Sequence, residues 1–96
     1  MRLIITPLAQ RDLETIGDYI AEDNPARAAT FIRELRNQCS KIQQTPNAYR
    51  LRSDIASGIR SSVYGRYVIY FTADNDIVRI IRILHGAMDA SAHLAM

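Results

Sequence analysis

Two polar–proline pairs, Thr6-Pro7 and Asn24-Pro25, constrain this chain more than any other feature. A side-chain oxygen at the cap followed by proline at the first helical position is a start signal for a helix. Each pair opens a stretch with apolar residues at helical spacing. Ala9, Leu13, Ile16 and Ile20 mark one stripe over residues 7–22. Ala28, Phe31, Ile32, Leu35, Cys39 and Ile42 mark a second, from residue 25 to residue 44. The link between them is so short that the two helices are expected to form an antiparallel hairpin. Thr45-Pro46-Asn47 ends it, and residues 46–58 form the longest irregular stretch, carrying Arg50 and Arg52.

After residue 58 the period changes from helical to alternating. Ile59–Val63, Tyr67–Ala73 and Ile77–His85 are rich in Val, Ile, Tyr and Phe, and Leu3-Ile4-Ile5-Thr6 reads as a short strand at the start. Tyr64-Gly65-Arg66 and Asp74-Asn75-Asp76 are turn-like, so the last third reads as a three-stranded antiparallel meander. The expectation is one α+β domain over residues 1–96, in the order β-α-α-β-β-β, with the helix hairpin on one face of a small, mainly antiparallel sheet. With three-residue turns, Val63 faces Tyr67 and Ala73 faces Ile77. One face then collects Ile59, Val63, Tyr67, Ile69, Phe71, Ile77, Ile81 and Ile83, with Arg79 as its misfit. The other collects Arg60, Ser62, Val68, Tyr70, Val78, Ile80, Arg82 and Leu84. Two helices cover only one face. The second is therefore expected to lie open as a binding surface, unless the C-terminal tail folds back over it.

Composition excludes several classes. Of the 96 residues 48% are apolar, enough for a thin two-layer core and too many for a disordered tail. No apolar run approaches the ~20 residues that span a bilayer, and no charged leader precedes an apolar stretch, so a cytoplasmic setting without membrane attachment is expected. The lone Cys39 lies on a buried stripe and reads as core. His85, Asp89 and His93 are too few and too scattered to make a metal site the expectation, and no glycine-rich phosphate loop occurs, so no metal or cofactor is expected. Eleven of the twelve basic residues are arginine, the side chain best suited to bidentate pairing with carboxylate or phosphate. Residues 12–23 hold five acids and no bases, whereas residues 27–66 hold eight bases and two acids. One surface should be acidic and another basic, either as solvated faces or as a site for an acidic partner.

The ordered set Thr6-Pro7-Leu8-Ala9, Asp12-Leu13, Ile16, Asp18-Tyr19-Ile20-Ala21 and Asn24-Pro25 resembles the opening of ParE toxins, in the RelE/ParE superfamily of bacterial type II toxin–antitoxin systems. The likeness continues through Ala28-Ala29, Phe31-Ile32, Leu35, Pro46 and Gly58-Ile59-Arg60. It then runs through Gly65-Arg66-Tyr67-Val68-Ile69-Tyr70 to Ile81-Arg82-Ile83-Leu84-His85-Gly86-Ala87 and Asp89. Gly17 departs from it, since relatives often carry a bulky aromatic there, and a glycine inside a helix costs ~1 kcal/mol against alanine. The resemblance implies a toxin held inactive by a ParD-like antitoxin, with operator DNA reached only through that antitoxin. It implies DNA gyrase as the target, and for RelE-like cousins mRNA cleavage on the ribosome. A decayed toxin kept as an interaction module is the third possibility.

Cleavage of RNA needs cations on the phosphate and groups that move protons. Arg60 and Arg82 fall at the matching arginine positions and His85 is the one candidate acid or base, but the lysines of the nuclease branch are missing. The residues therefore favour a binding toxin over an enzyme. The open sheet face with Arg60, Tyr70, Ile80 and Arg82, together with Arg50 and Arg52, is the expected antitoxin surface. His85, Met88 and Asp89 at the end of the last strand are the expected target-facing residues.

Overall fold

The computed structural model describes residues 1–94. Thr6 begins the first helix as its sequence dictates. Its hydroxyl accepts from the Ala9 amide at 3.3 Å and donates to the Ile80 carbonyl at 2.8 Å, so one side chain caps helix α1 (Pro7–Ala21) and ties it to the sheet. Asn24 repeats the device, its Oδ1 accepting from the Arg27 amide at 3.1 Å to open α2 (Pro25–Gln44). Among the described residues no helix is long and apolar enough to cross a membrane.

The sheet has five strands: β1 (Arg2–Ile5), β2 (Arg50–Leu51), β3 (Arg60–Tyr64), β4 (Tyr67–Asp74) and β5 (Ile77–His85), in spatial order β1-β5-β4-β3-β2. β1 runs parallel to β5, and the other pairs are antiparallel. A four-residue helix, α3 (Ala90–His93), follows β5. The α+β class, the helix hairpin and the meander match the sequence-based expectation, and β2 and α3 add to it.

The register differs from the expected one at two places. Both hairpin loops have two residues rather than three, because Tyr64 pairs with Tyr67 and Asp74 with Ile77. Gly65 at φ 58°, and Asn75 and Asp76 at φ 50° and 60°, supply the left-handed backbone that such tight turns demand. A β-bulge then sets Tyr70 opposite Arg82 but Phe71 opposite Ile80, leaving Ile81 without a partner. Each event shifts alternation by one residue. Val78 and Ile80 therefore lie under the helices with Ile69, Phe71 and Ile83, while Ile59 and Ile81 face the other way.

The second face is covered, contrary to the open surface expected. Ile59, Tyr70 and Leu84 form a separate buried cluster there. Ile55 and Ala56 roof it from the loop before β3, and Leu94 and Ala90 from the C-terminal tail. Ile80 is wholly buried on the helix face and Tyr70 is 5% exposed, so neither lies on an accessible surface.

Burial pushes the Cys39 thiol up to about 11, which fits a packing role rather than a nucleophile. Arg27 of α2, the first base of the basic stretch 27–66, is taken up locally. It pairs with Glu34 at 2.6 Å and lies over the Phe31 ring, and the Tyr64 hydroxyl donates to the same carboxylate at 2.7 Å. Gly17 faces Ile32 of α2, and a Cβ added there would meet the Ile32 side chain at 3.4 Å. The nearest atom is Ile32 Cγ1 at an ordinary van der Waals distance, so the helix contact has room for a methyl group. Gly17→Ala is expected to raise stability by up to ~1 kcal/mol, a thermal shift of about 4–8 °C for a domain of this size. A bulky aromatic at the same position should lower it.

Candidate functional site: a groove beside the free end of strand β5

β1 pairs with Ile77–Ile80 of β5 and goes no further. At Thr6 the chain turns into α1, which lies across the remaining length of β5. Asp12 of α1 fills the place a strand would occupy. Its carboxylate accepts from the Ile83 amide at 2.9 Å and from Arg82 Nε and Nη2 at 2.8 and 2.9 Å. The pair is largely buried, with the side chains 17% and 12% exposed. The bond to Asp12 holds the Arg82 guanidinium charged more firmly than usual.

Beyond Asp12, helix and strand diverge around a cavity of about 540 Å³. Thr15, Ile16 and Tyr19 line it from α1, Ile83 and Leu84 from β5, and Tyr67, His85 and Met88 close its end. Tyr19 is 69% exposed and Met88 42%, so the groove presents unusual apolar area to solvent. Arg11 and Arg66 stand on its rim, and among the described residues neither has an acidic partner. Tyr67 meets the His85 ring edge-on at 5.4 Å, and burial, reinforced by Tyr19, pushes its phenol above the ordinary range. His85 Nδ1 accepts from the Ala87 amide at 3.1 Å, which leaves Nε2 as its protonated nitrogen. The arrangement suits a ligand with apolar side chains and carboxylates.

The residues singled out from sequence are dispersed. Arg50 is exposed on the edge strand β2. Arg52 is clamped by Asp54 at 3.0 Å, and Arg60 donates to the Tyr49 carbonyl at 2.8 Å. Arg82 belongs to the groove wall, as do His85 and Met88. Asp89 caps α3, accepting from the Ser91 amide at 3.1 Å. Arg60 and Arg82 pair with Phe71 and Tyr70, which are consecutive on β4, so they point to opposite sheet faces. Arg60, Arg82 and His85 therefore do not converge on one phosphate. Arg11, Tyr19 and Arg66 were not singled out as site residues. The crossover of α1 brings Arg11 and Tyr19 beside β5, and the pairing of Tyr67 with His85 places Arg66 at the end of that strand.

Asp12→Ala strands a mostly buried guanidinium and frees the Ile83 amide. It is expected to cost about 2–3 kcal/mol in urea unfolding, with allowance for the pair's partial exposure. A loss under about 0.5 kcal/mol would place the pair among ordinary surface ion pairs.

Comparison with known proteins agrees with this architecture. A family model described as "ParE toxin of type II toxin-antitoxin system, parDE" matches residues 3–90. The chain is 31% identical over 87 residues to Toxin ParE1 of Caulobacter vibrioides, covering 90% of each protein. It is also similar to a solved chain from the "Chromosomal ParDE TA system from P. aeruginosa", with a TM-score of 0.76 and 25% identity over 88% of this chain and 95% of that one. With the sequence pattern, the fold and these matches in accord, the chain belongs to the ParE toxin family of type II toxin–antitoxin systems.

Proposed function

We propose that this ParE-family chain is a binding toxin rather than an enzyme, that a ParD-like antitoxin neutralises it by direct contact, and that DNA gyrase is its target. The observation that carries the binding reading is the groove itself: an apolar floor, an accessible Tyr19 and Met88, and Arg11 and Arg66 on its rim with no acidic partner among the described residues. Large aromatic and Met side chains edged by arginine are the composition of tight protein interfaces. The antitoxin is expected to place an apolar segment in the groove, with carboxylates against Arg11 and Arg66. Arg50, at the far edge of the sheet, is an outer contact in this reading, and Arg52 serves its own loop first. Operator DNA is reached only through the antitoxin.

The reading as a non-enzyme rests on chemistry. Arg82 is already committed to Asp12, Arg60 faces away from it, and among the described residues His85 has no partner carboxylate. General acid–base work on a phosphodiester needs these groups around one reacting atom. The gyrase target is inferred from family membership, and His85 and Met88 at the mouth of the groove are the residues proposed to face it.

Purified toxin added to gyrase and supercoiled plasmid is expected to accumulate cleaved DNA. Cleavage of mRNA in a translating extract, with gyrase unaffected, would overturn the assignment. Reversing the rim charges with Arg11→Glu and Arg66→Glu should slow antitoxin association by about tenfold or more and flatten its salt dependence. Unchanged association would move the antitoxin off the groove.

A further inference from the structure

The C-terminal segment is held to the body by few anchors. Residues 86–89 are exposed, and α3 follows. Leu94 is 4% exposed and packs in the cluster of Ile59, Tyr70 and Leu84 on the second sheet face. Among the described residues one hydrogen bond joins α3 to another element, from Arg82 Nη1 to the His93 carbonyl at 3.3 Å. The same guanidinium uses Nε and Nη2 to grip Asp12 on the groove wall. A planar fork cannot turn toward a new acceptor on one edge without moving the other. Arg82 therefore spans two places that share no other polar contact among the described residues: the groove on one side of β5 and the tail on the other.

We propose that Asp12 and Arg82 form a relay through which the state of the groove wall sets the seating of the C-terminal segment. Asp12 fixes the guanidinium, the guanidinium fixes the His93 carbonyl, and the carbonyl holds Leu94 over the second face. Anything in the groove that draws Arg82 away from Asp12 then also loosens residues 90–94. That consequence takes its ligand from the function proposed above, whereas the relay is a property of the free chain. The main core under α1 and α2 is a separate cluster, so the tail can loosen without unfolding the body.

Residue-resolved amide exchange on the free full-length chain tests the relay. Asp12→Asn is expected to speed exchange of the Leu94 amide, which bonds to the Ala90 carbonyl, by about tenfold, while Leu35 in the core of α2 stays protected. Coupling is reciprocal, so Leu94→Ala should speed exchange of the Ile83 amide held by Asp12. Unchanged Leu94 exchange in Asp12→Asn, with Leu35 still protected, overturns the relay. If Asp12→Asn loosens the whole chain, Arg82→Lys decides. A lysine reaches one acceptor and not both, so the relay requires faster Leu94 exchange there, and wild-type exchange overturns it. Because no antitoxin is present, failure of the relay leaves the groove reading standing.

Discussion

The parallel pairing of β1 with the first half of β5 is the constraint on which the rest of the structure depends. β1 has four residues and its register ends at Ile5 opposite Ile80. A parallel pair needs a long crossover, and the α1–α2 hairpin with the β2–β4 meander provides it. The short register also leaves the second half of β5, paired with β4 on its other side, without a strand neighbour on the side of β1. Thr6 and Asp12 take over there, bonding Ile80 and Ile83 from the helix side. An edge that would otherwise invite another strand is closed by side chains near β1 and opens into a groove further on.

The same geometry explains why Arg82 is not available as a phosphate-binding group. A buried arginine needs a partner, and Asp12 supplies two oxygens in the plane of the guanidinium. With the Ile83 amide, the carboxylate accepts three hydrogen bonds, two at Oδ2 and one at Oδ1. Among the described residues, Arg11 and Arg66 on this side have no acidic partner, and they flank apolar surface. That chemistry is what supports the proposal of a docking site.

Much of the fold was legible in the sequence. The cap–proline pairs set both helix starts, the two apolar stripes set the buried faces of α1 and α2, and the switch of period located the meander. The sheet faces were misassigned for two physical reasons. A Gly65-Arg66 loop and an Asn75-Asp76 loop can close a hairpin in two residues, and counting three moves the face by one. The bulge at Ile81 has no sequence signature, since Ile80 and Ile81 are identical residues and either can face the core. The groove was legible only in part. His85, Met88 and Arg82 were marked, but Arg11, Tyr19 and Arg66 come together through the crossing of α1 over β5 and the pairing of Tyr67 with His85, which periodicity does not encode. The tail folding back over the second sheet face was the alternative left open by the sequence, and Leu94 realises it despite its small and weakly apolar neighbours.

The most direct test of the account is a residue-by-residue comparison of amide protection in the chain alone and in complex with its antitoxin. The groove account predicts added protection along Arg11–Tyr19 of α1, at Arg66 and Tyr67, and at the end of β5 by His85. Protection confined to Arg50 and Leu51 on β2, or to the outer face of α2 around Arg33 and Arg36, would contradict it.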